Sequence, residues 1–539
     1  LPTDRPRVVF LGSPAFVVPV LEELASLHKT GVVQLVGVVS QPAKRGKRGK
    51  VKHDPAVAGY AKNLLHDDAS EFGSLTILQP EKARDQGFVD AFAALKPDIA
   101  ITAAYGQILS DDFLAVPTRA TINIHPSLLP AYRGATPVQS ALMDGLKESG
   151  VSVLFTVKEL DAGNLITQEK LNIAKYGAAH WMDELFRVGA KMLPEAIAKL
   201  ADPSFVGSPQ SHNPLNVEAS HCFKIRKSQG KVDWLLPAEG LLSLSKGLEL
   251  WPGVYGFVAD ISSKKDEEKK YKKVAFAGVK QIESPPADLQ NVSWRPGKSA
   301  YSKQLARGVV ACAKSSYLSI EKFKPAGSKE VGARDFFDRF GKGVVEFLRP
   351  AMPILVGVSG TGRSLRNLLA LESERLWSVQ GVFSNDAGCK AIRFAKRNGI
   401  PTWTGDSRKD PQGLRAFVEE RMNGKKGVVC LAGFLQMLPE LGLENATIIN
   451  IHPSLLPSYG GKGMYGMHVH RSVFDNSDQI SGATVHLVTP EYDKGEIIGQ
   501  VTVDISSCSN AEEVADRVFE QEKKLLPQVI DQIVWQQIT

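Results

Sequence analysis

The sequence predicts an α/β protein: two doubly wound, Rossmann-like sheet domains with a small OB-like β-barrel domain between them. Three observations point there. The nonapeptide Ile-Asn-Ile-His-Pro-Ser-Leu-Leu-Pro occurs twice, at Ile122–Pro130 and at Ile449–Pro457. Around each copy, apolar runs alternate with stretches of helical spacing, the pattern of a mostly parallel sheet covered on both faces. From about Phe205 the pattern changes to short β-rich stretches separated by turns, as in a small barrel.

Taken in order, Arg7-Val-Val-Phe-Leu-Gly-Ser-Pro reads as a buried strand entering a tight turn, and Phe16–His28 has helical spacing. Val32–Ser40, Asp98–Tyr105 and Thr121–Ile124 are the next strands. Ligands of such sheets bind beyond the carboxyl ends of strands, where the first nonapeptide lies. The barrel strands are read at Gly253–Ile261, Lys272–Ile282, Gly308–Cys312 and Tyr317–Phe323, with the charged run Lys264–Lys273 as a solvated hairpin loop. Pro350 and Pro353 bracket a boundary. Beyond it, Ile354–Ser359, Val379–Phe383, Val428–Leu431 and Thr447–Ile451 are strands of a second α/β domain. Its last helix begins near Ala511, with a break expected at Pro527. The domains are therefore 1–205, 206–340 and 352–539, with 341–351 as a linker.

Composition narrows the class. At 539 residues the chain exceeds one core, since a domain takes about 150 residues. Hydrophobic content of 43% and charged content of 23% are ordinary for globular protein, and no apolar run approaches the roughly 20 residues of a membrane span. Five scattered cysteines, none in a Cys-x-x-Cys pair, argue for a reducing compartment and against structural zinc. A net charge of +7 is mild, so its distribution matters more than its total. A chain starting at Leu1 reads as a processed form or fragment, and a removed transit peptide fits.

An acid follows each nonapeptide at similar distance: Asp161 in Glu-Leu-Asp-Ala-Gly and Asp493 in Glu-Tyr-Asp-Lys-Gly. Asn and His two apart on a strand point to one side, so both can meet the same carbonyl. Asn123 and Asn450 can donate to an oxyanion formed in acyl transfer. His125 and His452 can donate to it as well or shuttle a proton, and Asp161 and Asp493 can favour the imidazolium or relay a proton through water.

These motifs carry a family resemblance. Asn-x-His-Pro-Ser-Leu-Leu-Pro with a downstream Asp-x-Gly is similar to the folate-dependent formyltransferases. Residues 1 to about 340 resemble methionyl-tRNA formyltransferases, catalytic and OB-like domains together. Residues from about 351 resemble phosphoribosylglycinamide (GAR) formyltransferases, of the type with Gly-Gly-Lys-Gly-Met-Tyr-Gly after the catalytic His. The resemblance implies a bifunctional enzyme using 10-formyltetrahydrofolate as co-substrate and neither metal nor ATP. Initiator methionyl-tRNA would be one acceptor and GAR of purine synthesis the other, with no membrane partner.

The surroundings of the two copies then differ. Ala43-Lys-Arg-Gly-Lys-Arg-Gly-Lys-Val-Lys is a Gly-spaced basic loop suited to RNA phosphates, in the place where methionyl-tRNA formyltransferases reach the acceptor stem. Arg48 leads its candidates, followed by Lys47 and Lys50. In the second half Ser359-Gly-Thr-Gly-Arg-Ser lies at a strand-to-helix turn, lacking the Walker ending and the third Rossmann glycine. By resemblance, Gly362, Arg363 and Ser364 hold the ribose phosphate and Glu522 is a substrate-binding acid. Arg408, Leu435, Gln436, Met437 and Leu438, with Asn450, are the folate contacts; Ser127, Leu128, Leu129 and Pro130 are their counterparts in the first half. His486 reads as lining the second cleft.

Competing readings are a 10-formyltetrahydrofolate hydrolase or sugar-nucleotide formyltransferase in the first half, which the basic loop disfavours. A folate- or RNA-binding scaffold without turnover is disfavoured by two complete Asn-His-Asp sets. Formylated initiator tRNA belongs to bacterial-type translation, so an organelle is the expected location, with a bacterial cytoplasm as the alternative.

Overall fold

The computed structural model describes residues 5–45, 52–212, 215, 217–259, 271–341, 343–348 and 352–538. They form two compact units: Leu1–Phe223 with Ser243–Trp251, and Lys224–Leu242 with Pro252–Thr539.

The first unit is built on a seven-stranded sheet. From one edge its order is Leu165–Asn172, Glu148–Phe155, Ala120–His125, Ile99–Ala103, Arg7–Gly12, Gln34–Val39 and Thr76–Leu78. The five strands from Ala120–His125 onward are parallel; the two at the other edge run antiparallel. Val8 to Leu11 and Ile99 to Ile101 are wholly buried, because helices cover both faces of central strands and apolar runs replace alternation. The helices Val18–Lys29 and Ala178–Lys191 pack on one face through Leu21, Leu24, Leu185 and Phe186. Lys44–Arg45 and Lys52–His53 pair as a short hairpin. Lys47, Arg48 and Lys50 lie outside the described residues.

The second unit opens with a β domain. One antiparallel sheet joins Val254–Ala259, Tyr271–Ala277, Lys322–Pro325 and Val331–Gly332. The other joins Lys280–Ile282, Ser316–Ile320, Arg307–Cys312, Lys298–Ser302 and Val344–Glu346. This is the OB-like domain, and it is not a closed barrel: among the described residues the sheets stay separate and meet at the single bridge Val258–Phe347. Between them Trp234, Phe276, Phe323, Phe336 and Phe347 fill the space with stacked and edge-on rings. Residues 341–351, read as a linker, contribute the strand Val344–Glu346. Most of the charged run Lys264–Lys273 lies outside the described residues.

The same unit continues into a second seven-stranded sheet of identical order: Ile497–Asp504, Ile480–Leu487, Ala446–His452, Gly427–Leu431, Met352–Gly357, Trp377–Ser384 and Thr402–Thr404. Its core is shared with the β domain, since Tyr255, Phe257 and Tyr271 cluster with Leu376, Trp377 and Ile530. The final helix runs unbroken from Ala511 to Ile538 through Pro527. Proline removes the N–H that would bond the carbonyl four residues earlier, and that carbonyl, Lys523 O, accepts from Asn367 Nδ2 at 2.9 Å.

Candidate active sites

The two nonapeptides occupy equivalent places, on the strands Ala120–His125 and Ala446–His452 and the turns that follow. Each turn carries a cis Leu–Pro bond, Leu129–Pro130 or Leu456–Pro457, and is held by one hydroxyl on the neighbouring strand. Ser152 Oγ donates to Ser127 O (2.6 Å) and accepts from Leu129 N (3.1 Å); Thr484 Oγ1 does the same for Ser454 O (2.7 Å) and Leu456 N (3.1 Å). Ser127, Leu128, Leu129 and Pro130 are all buried in this scaffold, and Ser127 Oγ donates to Ala131 O at 2.7 Å.

In the first site Asn123, His125 and Asp161 come together. His125 Nδ1 is 3.6 Å from Asp161 Oδ2, and Asn123 Nδ2 donates to Asp161 Oδ1 at 3.4 Å. His125 Nε2 lies 3.0 Å from Tyr132 O. A carbonyl only accepts, so Nε2 bears the proton and a neutral ring presents its bare Nδ1 to the acid. Asp161 Oδ2 also accepts from Gly134 N at 2.9 Å. A carboxylate facing Asn123 Nδ2 fixes the amide's orientation, and Thr102 Oγ1 donates to the opposite end, Oδ1, at 2.8 Å.

The second site repeats this frame. His452 Nδ1 is 3.6 Å from Asp493 Oδ2, His452 Nε2 is 2.8 Å from Tyr459 O, and Gly461 N donates to Asp493 Oδ2 at 2.8 Å. Asp161 and Asp493 share a left-handed backbone, at φ 52° and 55°. A residue with a side chain pays roughly 1–2 kcal/mol for it, though Asp tolerates it better than most.

The Asn anchors differ between copies for a reason visible in the register. Asn123 pairs with Thr102 and Leu154, Asn450 with Leu431 and His486. His486 Nδ1 bonds Leu487 O (2.8 Å), which leaves Nε2 bare to accept from Asn450 Nδ2 (3.1 Å). Protonated, the same Nε2 would face Asp493 Oδ1, 3.4 Å away. Burial pushes His452 below the usual imidazole range, against the pull of Asp493. Burial alone would raise Asp493, but the His486 contact, the Gly461 N–H and both imidazoles outweigh it and hold the carboxyl below its ordinary value.

A cavity of about 840 Å³ adjoins the second set and reaches from Asn450, His452 and Asp493 to the turn Gly360–Ser364 and to Glu522. Gly362 caps the helix Arg363–Leu371 at φ 75°, and an added Cβ there would lie 2.8 Å from Ala391 Cβ, so only glycine fits. The helix N-terminus borders the cavity, and backbone amides at such a terminus suit an anion. Arg363 stacks on Phe519 and pairs with Asp516 at 3.0 Å. Glu522 is pushed up to about 7 by burial, with Arg363 opposing. Phe434 and Leu438 wall the cavity; Leu435 N is tied to Ser359 Oγ (3.1 Å), and Gln436 Oε1 accepts from Asn385 (2.6 Å). This apolar wall lies beside the second Asn-His-Asp set, and Met437 lines it too. Arg408 is exposed, bonded to Asp406, and is not among the lining residues.

Several groups escaped the sequence reading. Tyr105, Gln107 and Ile108 follow Ile99–Ala103 as Phe434 to Leu438 follow Gly427–Leu431, and Ile108 is 91% exposed. The signal was Ala-Tyr-Gly after one strand against Ala-Gly-Phe after the other. The first unit lacks a Gly-rich anion turn after its first strand; Pro14 and Pro19 stand there and remove N–H donors. Among the described residues no group of His, Cys, Asp or Glu is placed to hold a metal, and no helix is long and apolar enough to cross a membrane.

Residues 6–197 and 352–530 match the family described as Formyl transferase, and residues 224–341 match its C-terminal domain. A methionyl-tRNA formyltransferase of Bacillus licheniformis is 33% identical over 333 residues, 61% of this chain and 94% of that protein. One from Chloroflexus aurantiacus is 35% identical over 252 residues, 47% and 76% respectively. Among solved structures, phosphoribosylglycinamide formyltransferase from Anaplasma phagocytophilum is 31% identical, covering 34% of this chain and 86% of that one, with a TM-score of 0.30.

Proposed function

The chain belongs to the formyl transferase family, and from that premise we propose that it is a bifunctional enzyme with two separate formyl transfers. The first site would formylate initiator methionyl-tRNA and the second GAR, both from 10-formyltetrahydrofolate, the formyl donor. The observation that carries this reading is the presence of two complete Asn-His-Asp sets with the same 3.6 Å His–Asp spacing but different surroundings. A Gly-rich turn suited to an anion and a half-buried acid accompany the second set, and the relatives of the first half are methionyl-tRNA formyltransferases.

The residues divide the work in the same way at each site. Asn123 or Asn450 donates an amide N–H toward the formyl oxygen as charge develops there. The neutral His accepts the proton of the attacking amine at Nδ1, because Nε2 is committed to Tyr132 O or Tyr459 O. Asp161 or Asp493 then faces an imidazolium across 3.6 Å and stabilises it until that proton passes to N10 of the departing tetrahydrofolate, as the bond between N10 and the formyl carbon breaks. In the second site Gly362, Arg363 and Ser364 would hold the ribose phosphate, with Glu522 toward the rest of GAR; Leu435 to Leu438 would enclose the donor. Lys47, Arg48 and Lys50 would meet RNA phosphates. An organelle with bacterial-type translation is the proposed compartment.

Replacing each histidine separately tests the assignment. His125→Ala should lower methionyl-tRNA formylation by about 10²–10⁴-fold and leave GAR formylation intact, and His452→Ala should do the reverse. A variant that leaves its own transfer at the wild-type rate would falsify the role given to that site.

A further inference from the structure

A short segment that leaves the first sheet crosses both loops of the first catalytic set. His221 and Cys222 pair in parallel with Arg133 and Gly134. Ser220 O accepts from Arg133 N (2.9 Å), and Ser220 Oγ from Tyr132 N (2.9 Å). Gln210 adds a cross-link. It is 6% exposed and its amide is fully used: Nε2 donates to Asp161 O and Gly163 O, both at 2.8 Å, while Oε1 accepts from Arg133 Nε (3.0 Å) and Nη2 (2.5 Å). Buried polar groups this well satisfied specify one arrangement of the segments they join.

What they join here is the Asp161 turn and the loop after His125. Asp161 aims its carboxylate at His125 from a left-handed backbone, a conformation that needs outside support. We infer that Gln210 is a positioning residue for the first transfer, fixing the Asp161 turn against Arg133 and so setting the His–Asp geometry. Among the described residues the second site has no such strap: no strand pairs with the loop after His452, and the turn before Asp493 is braced locally by Thr489 Oγ1 on Glu491 O (3.0 Å). Gln210 lies beyond residue 197, where the catalytic-domain match ends, so one site borrows its rigidity from chain outside that domain.

This inference rests on the proposed formyl transfer, and the test separates the two. In the full chain, Gln210→Met should lower kcat for methionyl-tRNA formylation at least about tenfold, with KM for both substrates within about threefold. GAR formylation should be unchanged, and any loss of stability should be confined to the first unit, with the midpoint of the second unmoved. Adding Arg133→Met to Gln210→Met should cost less than about twofold more, since both act through one link. An unaltered kcat overturns the inference, as does a rise in KM alone, or a joint loss of both activities with a lowered midpoint. Inactive wild type would instead sink the proposed function. A readout independent of acceptor then remains: the imidazole nitrogen resonances of His125 should shift in Gln210→Met and those of His452 should not. Unmoved His125 signals overturn the positioning role whatever the acceptor.

Discussion

Glu522 shows how one half-buried side chain makes a site pH-sensitive. Its carboxyl is pushed from 4.5 to about 7 because burial disfavours the charged form. With the folded value above the unfolded one, its contribution to stability is complete below pH 4.5 and is lost as pH rises through 7. At ~1.4 kcal/mol per pH unit, the loss across that window is about 3 kcal/mol. Glu522→Gln removes the titration, so wild type should weaken relative to the variant between these limits and run parallel outside them. Urea unfolding at a series of pH values checks this; a constant difference from pH 4 to 8 would contradict it. Side chains of this kind were unequally legible. Asn123, His125 and Asp161 stood out because they recur as a motif. Thr102 did not, since it looks like any strand residue until the register sets it opposite Asn123. Gln210 sits in a polar stretch that reads as loop.

At the scale of elements, apolar runs and helical spacing located the central strands within a residue or two, because burial on both faces dictates composition. They failed where a third element intervenes. Pro527 signals a break, yet the helix continues because Asn367 satisfies Lys523 O. The barrel likewise stays two sheets, since strand number is readable while closure depends on which edges pair. The Asn367 account predicts a specific coupling. Asn367→Leu should cost about 1 kcal/mol, as a half-buried carbonyl loses its donor. In a Pro527→Ala background the restored helical N–H takes over, and the same change should cost under about 0.5 kcal/mol. Equal costs in both backgrounds, from urea midpoints, would show that Asn367 acts otherwise.

For the whole second unit the decisive contacts join the β domain to the sheet beyond it. Lys231 is buried, and its Nζ donates to Glu372 O (3.0 Å), Trp377 O (2.8 Å) and Ser378 Oγ (2.8 Å), all on the far side of that seam. Glu372, 1% exposed, accepts in turn from Arg226 Nη1 (2.8 Å), Ser228 Oγ (2.6 Å) and Val379 N (2.9 Å). A bead-like reading of domains could not see this, because Gly-Lys-Val-Asp-Trp carries no pattern separating a buried lysine from a solvated one. Such a network is tolerable only when every member is satisfied, so it commits both parts to one arrangement. Lys231→Met should leave three acceptors unpaired and cost roughly 2–4 kcal/mol. The loss should be shared: hydrogen exchange should accelerate together in Tyr271–Ala277 and in Trp377–Ser384, strands on opposite sides of the seam. If Tyr271–Ala277 opened while Trp377–Ser384 kept its protection, the β domain would be an independent attachment. Cutting the chain near residue 350 would then be harmless, whereas a shared core through Tyr255, Phe257 and Tyr271 means that the second catalytic domain should be produced from Lys224 onward to stay folded.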